Sequence, residues 1–292
     1  MSQPSDSVSI VSGSSLVLLG TIFELGIAFI AKIFIARYLG VYDYGIVSVG
    51  IIFLSISTTL VVLGLHHGIA RYLPRFKQSS DKRGILISAF SITTVTSLLV
   101  AFCLFIFADH IAISVFSNPS FSPILKVFAG AVPFVAFIRM VIGSMQGEKR
   151  ASPAVFIQNI VLPSARFILI IIVILIGVSA VKVAWAYLLA YAAAALVGVY
   201  TLYRYTQMFH KVTPVYHFKD LIPFSIPLAI STMMALLFVD ADTLLLAYFQ
   251  PATEVGLYAV IYPLSALLMI FLNSFTFLSM PALSELHAQN QS

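Results

Sequence analysis

Apolar residues run through this chain in eight long blocks, each closed by a glycine, a proline or a cluster of charge. The blocks lie at about 10–36, 44–70, 84–107, 124–146, 153–176, 181–203, 220–247 and 255–280. Each approaches or exceeds the ~20 residues that a helix needs to cross a hydrocarbon core. Lipid cannot hydrogen-bond an exposed backbone, and runs of this length are too long for barrel strands, so the blocks are predicted to be helices. The first and seventh are the longest and leave room for tilt or a kink. The pattern predicts an all-α polytopic membrane protein with about eight transmembrane helices.

Composition sharpens this. Of the 292 residues, 60% are hydrophobic and only 9% charged, with a mean hydropathy of +1.04. A soluble domain carries about 25% charged residues, so a secreted domain, a cytosolic enzyme and a disordered chain are all excluded. The single cysteine, Cys103, rules out a disulfide framework and a CxxC metal site. Residues 1–13 hold no Lys or Arg and include Asp6, unlike a cleavable signal, so the first span is expected to be retained.

The formal charge of +5 matters less than where the charges sit. One set of loops carries ten basic residues: Arg71, Arg75, Lys77, Lys82, Arg83, Lys149, Arg150, Arg204, Lys211 and Lys219. The other set offers three: Arg37, Lys182, and Lys126 at the mouth of the fourth span. The positive-inside rule then predicts a multi-pass protein of the cytoplasmic membrane with both termini cytoplasmic. The basic loops serve either as topological signals alone or also as contacts for anionic lipid headgroups.

Two stretches match at an offset of 211 residues. Around Asp43-Tyr-Gly45 and around Glu254-Val-Gly256, a long apolar helix ends in aromatic residues and a Gly or Pro break. An acidic residue two positions before glycine then opens the next helix, where a carboxylate complements the helix dipole. The likeness continues from Ala70–Pro74 to Pro281–Glu285. An offset spanning six helices keeps both units in one orientation, as in a parallel repeat. The expected organisation is a six-helix lobe over residues 1–210. An incomplete second lobe, the first hairpin of the repeat, follows over 211–292.

At these residues the chain resembles the polysaccharide-biosynthesis (lipid-linked oligosaccharide) flippases of the multidrug/oligosaccharidyl-lipid/polysaccharide exporter superfamily. The resemblance rests on Ala36-Arg-Tyr-Leu-Gly-Val-Tyr-Asp-Tyr-Gly45 and Leu63-Gly-Leu-His-His-Gly-Ile-Ala-Arg-Tyr72. It also rests on Phe224-Ser-Ile-Pro227 and on Asp242 through Tyr258. It implies two six-helix lobes around a central cavity, twelve to fourteen spans in all. On that reading the chain is C-terminally truncated, and a second chain or a separately encoded remainder would complete the second lobe.

Six charged residues fall inside the apolar blocks, where each costs about 2.5–3.5 kcal/mol on insertion scales and usually faces a cavity or a partner. Arg139 is followed by Gly143 and Gln146 on one helical face, and Arg166 is preceded by Asn159 and Pro163 in the same spacing. Pro163 also frees the Asn159 carbonyl from its usual intrahelical bond. Arginine donates a planar fork suited to phosphate, although both arginines are also long enough to snorkel. Lys32 would join such a cationic cavity. Glu24 lies about 80° from it around the helix and would either neutralise an arginine on another span or lock helices together. Asp240 and Asp242, about 200° apart, are candidates with Glu24 for coupling to a proton or cation, or for pairing with an arginine of the first lobe. The adjacent His66-His67 cannot both address one metal from one helix face and is expected at an interface. No metal site, cofactor, Walker loop, dinucleotide fingerprint or nucleic-acid interface is predicted.

The leading expectation is a flippase-like transporter and not an enzyme. It would export a polyprenyl-phosphate- or pyrophosphate-linked oligosaccharide or polysaccharide precursor by alternating access. Arg139, Arg166 and Lys32 would bind the anionic headgroup, with neutral hydrogen bonds from Asn159, Gln146 and Asn273. The partners are then the lipid-linked glycan and membrane lipids. The alternatives are a cation-coupled multidrug exporter of the same superfamily, an inert or assembly-dependent remnant, and a polyprenyl-dependent membrane glycosyltransferase. The last would need an acidic metal-binding pair in a loop, which the sequence does not supply.

Overall fold

With no hydrogen-bonding solvent around them, the apolar blocks close their own backbone bonds as helices. The computed structural model describes residues 4–262, with side chains from residue 15 onward. In chain order the helices are α1 (Pro4–Leu39), α2 (Val41–Val62), α3 (Leu65–Tyr72), α4 (Ser79–His110), α5 (Phe121–Gly147), α6 (Ala151–Val155), α7 (Leu162–Leu175), α8 (Ala180–Tyr205) and α9 (Phe218–Phe249). A further helix occupies residues 252–262. Single π-turns extend α4 over Ile111–Val115 and join α6 to α7 over Phe156–Val161. Among the described residues there is no strand, and seven helices are long and apolar enough to span a membrane. The chain is an all-α polytopic membrane protein. The eighth expected span opens at residue 252; its later part, with Asn273 and the Pro281–Glu285 match, lies outside the described residues.

Two blocks differ from their expected form. The third runs from Ser79 to Val115, well beyond 84–107, because the helix continues through polar ends that hydropathy trims away. The second is divided by two consecutive left-handed residues, Leu63 (φ 49°) and Gly64 (φ 68°). Gly64 is required there twice over: its φ suits glycine, and a β-carbon would collide with the Ser225 carbonyl of α9.

The centre of the bundle is α2 and α5, whereas α1, α4 and α9 show most of their surface outward. Phe121, Phe128, Met140 and Val141 of α5 are fully enclosed. Helix α8 presents Ala186, Ala190, Ala194 and Gly198 at four-residue intervals, all buried. Small residues at this spacing let membrane helices approach closely, the main source of packing energy where lipid is as apolar as the protein.

At the end of the bundle rich in basic residues, the linker between α8 and α9 docks on the start of α4. The Val215 amide donates to the Ser80 carbonyl (3.2 Å), Arg83 donates to the carbonyls of Met208 (3.2 Å) and Val212, and Lys82 pairs with Glu148 (3.3 Å). The two nitrogens of His217 face Asp81 and Asp220, each at 3.2 Å. Lys126, at the opposite end, forms an exposed ion pair with Asp109 (2.8 Å) and so stands apart from the interior charges.

The two acidic-x-Gly motifs, one following α1 and one following α9, meet. A β-carbon on Gly45 would strike the Ala252 carbonyl and lie 2.8 Å from the Gly256 nitrogen; one on Gly256 would strike the Val41 carbonyl. Positions 41 and 45 correspond to 252 and 256 under the 211-residue offset. The two contacts are therefore equivalent under that offset. Both glycines are required by close approach of backbones.

Candidate functional site

Of the interior charges, Arg166 belongs to the fifth span and Glu24 meets it. Pro163 has no amide to donate back to Asn159, and the chain absorbs the defect as the π-turn of Phe156–Val161. Gly20 on α1 allows close contact with this turn: its missing β-carbon would lie 2.6 Å from Val155 and 3.2 Å from the Asn159 β-carbon. Four residues on, along the same face of α1, Glu24 reaches the turn. The buried Asn159 side-chain amide donates to the Glu24 carboxylate at 2.6 Å.

Arg166, two turns beyond Asn159, lies against α8. Its guanidinium donates to the Tyr191 hydroxyl (3.1 Å) and lies over the rings of Tyr187 (4.6 Å) and Tyr191 (5.4 Å), a cation–π cage. Its buried Nε has no acceptor among the described residues. Glu24 and Lys32 are both within electrostatic reach of it. Lys32 is exposed on α1 and lines a cavity of about 260 Å³ with Phe29, Ile33, Ala36, Tyr44, Ala259 and Val260. That cavity lies between the first span and the helix of residues 252–262, and among the described residues Lys32 is the only charged one in its wall.

Arg139 turns inward on α5 and donates to Thr59 of α2 at 3.2 Å. Tyr191 and His66 are within electrostatic reach of it. His66, in the first turn of α3, packs against Gly143, with its Nδ1 buried and unpartnered among the described residues. The Leu63–Gly64 break thus packs His66 against the other helices and not outward. No group of three or more His, Cys, Asp or Glu suited to a metal occurs among the described residues.

Of the residues singled out from the sequence, Glu24 and Asn159 are bonded, Arg166 has Glu24 and Lys32 within electrostatic reach, and Arg139 has Tyr191 within the same reach. Gln146 does not join: it is exposed near the end of α5, seven residues from Arg139. Asp240 is half-buried on α9, and Asp242 is exposed and accepts from Tyr258 at 3.1 Å. Asn273 lies outside the described residues. Tyr187, Tyr191 and Thr59 were not legible as site residues. The i, i+4 spacing of the two tyrosines on a helix facing Arg166 was the one available signal.

Comparison with known proteins agrees with this architecture. Residues 10–287 match the family described as "Polysaccharide biosynthesis protein". No curated protein sequence matches the chain. Among solved structures, the MATE multidrug transporter DinF-BH superposes with a TM-score of 0.69 at 17% identity, over 87% of this chain and 59% of that one. An inward-facing MATE family transporter of the MOP superfamily gives 0.64 at 16% identity, over 89% and 61%. An outward-facing one gives 0.61 at 14%, over 78% and 52%. The chain therefore spans between 52% and 61% of the length of these transporters, and at such identities the likeness is one of fold. With a family match that runs almost end to end, the chain belongs to the polysaccharide biosynthesis protein family.

Proposed function

We propose that the chain is the substrate-binding part of a flippase that moves a polyprenyl-phosphate- or pyrophosphate-linked glycan across the cytoplasmic membrane. The observation that carries this reading is Arg166. Its direct partners are neutral phenols, its Nε lacks an acceptor among the described residues, and the nearby Glu24 is hydrogen-bonded to Asn159 instead. With Lys32 beside it, the site holds one more cation than anions, which an anionic headgroup would balance. The polyprenyl tail would stay in the bilayer. Residues 1–210 and 211–292 would belong to two lobes that rock about the glycine seam at Gly45 and Gly256. Arg139 and Thr59 extend the polar surface inward, where a glycan's hydroxyls would find partners. The family match supports the glycan-linked substrate class.

Binding tests this independently of turnover. Purified protein in detergent should retain a polyprenyl-pyrophosphate-linked oligosaccharide, and Arg166→Leu should weaken retention at least tenfold, with Arg166→Lys intermediate. Equal retention by wild type and Arg166→Leu would overturn the proposal. A second reading, a cation-coupled multidrug exporter, is favoured by the half-buried Asp240, which has no hydrogen bond or ion pair among the described residues. It predicts instead that an organic cation binds and that Glu24→Gln or Asp240→Asn abolishes its binding.

A further inference from the structure

We infer that the groove between the start of α1, the α6–α7 joint and the end of α8 is a binding site for an anionic diacyl phospholipid. It is a different place from the Arg166 site. Leu16, in its wall, precedes Lys32 by sixteen residues, about 24 Å along the helix. The groove holds about 420 Å³, and its apolar wall is formed by Leu16, Val155, Phe156, Ile160, Val197 and Tyr200. Phe156 and Tyr200 are 49% and 65% exposed, so the wall is open to the bilayer.

The basic end of the groove is polar. Ser152, Thr201 and Tyr205 line it. The Arg150 guanidinium lies 4.9 Å from the Tyr205 ring centre, which holds the charge at the groove mouth. Arg204 follows Val197, Tyr200 and Thr201 by seven, four and three residues, and so lies on the same face of α8. Neither arginine is within ion-pair distance of a carboxylate among the described residues; the nearby Glu148 is paired with Lys82. An apolar trough about 12 Å long, headed by two unpaired guanidinium groups and hydroxyls, matches the upper acyl chain and phosphodiester of a phospholipid. A net negative headgroup is required because a zwitterionic one brings its own ammonium to the same two arginines. The bend that creates the trough is the π-turn of Phe156–Val161, whose other side carries Asn159.

Native mass spectrometry of the purified chain, titrated with phosphatidylglycerol and phosphatidylcholine of equal chain length, tests the site. Phosphatidylglycerol should bind roughly tenfold more tightly. Arg150→Ala with Arg204→Ala should reduce it to the phosphatidylcholine level, while the charge-keeping pair Arg150→Lys with Arg204→Lys retains most of the preference. Val197→Trp, which fills the trough, should weaken both lipids, and it decides the matter if the double alanine variant melts at a lower temperature than wild type. An unchanged preference in the double alanine variant together with unchanged affinity for both lipids in Val197→Trp would overturn the inference. So would an equal loss on Lys211→Ala with Lys219→Ala, since the effect would then be general surface charge. Displacement by millimolar inorganic phosphate, or stronger binding of a polyprenyl phosphate than of phosphatidylglycerol, would likewise overturn it.

Discussion

The bond between Asn159 and Glu24 shows how a membrane interior weighs single residues. Hydrogen bonds between membrane helices contribute about 0.6 kcal/mol on average and about 1.7 at most. This one is short, at 2.6 Å, and accepts on a carboxylate, which places it at the upper end of that range. Removing only the donor leaves a half-buried carboxylate without its partner. Asn159→Leu should therefore cost about 1–2 kcal/mol in detergent unfolding experiments, and adding Glu24→Leu should recover part of that loss. No cost in the single variant would show that water satisfies Glu24 instead. Arg166 differs in kind, since its tyrosine cage leaves donors unused.

At the scale of elements, the helices depart from regularity where they have to meet one another. The π-turn before Pro163 presents Asn159 to α1, the left-handed pair Leu63–Gly64 directs α3 toward α5 and α9, and the helix starts at Gly45 and Gly256 cross backbone against backbone. The last contact yields a symmetric prediction. Gly45→Val and Gly256→Val should destabilise the protein by similar amounts, each by more than the ordinary ~1–3 kcal/mol of overpacking, because the obstacle is a carbonyl and not a side chain. Gly26 has nothing within 4 Å of its β-carbon position. Gly26→Ala should accordingly be neutral or stabilise α1 by up to about 1 kcal/mol. Melting temperatures of the three variants side by side provide the check.

For the whole molecule, the asymmetry of charge sets the orientation. Ten basic loop residues mark one end; there Arg83 ties the start of α4 to the α8–α9 linker, and Lys82 ties it to Glu148 after α5. We expect that end to face the cytoplasm. Topology reporters fused after residue 120 and after residue 210 should report opposite sides, with the latter cytoplasmic; the same side for both would break the span assignment. The linker itself is docked by Val215, Arg83 and His217, so any rocking of two lobes must either carry α4 along or undo these bonds.

The sequence alone determined the number and approximate placement of the described spans, the class of fold, the acidic-x-Gly repeat and the interior arginines. These were legible because burying a bare backbone or a charge in lipid is so costly that it constrains local composition directly. It misplaced the boundaries of the third span, where a helix outlasts its apolar core, and it grouped Gln146 with Arg139 by periodicity although α5 carries it to an exposed end. Tyr187, Tyr191 and Thr59 could not be distinguished from the many other tyrosines and threonines, since a neutral side chain has no obligatory partner and its role depends on what packs opposite. Only the tertiary structure decided that Glu24 meets Asn159, that Arg166 lies against Tyr187 and Tyr191, and that Gly45 and Gly256 face each other. Those are contacts between distant segments, fixed by the shapes of facing helices, and no local pattern along one chain encodes the surface of its neighbour.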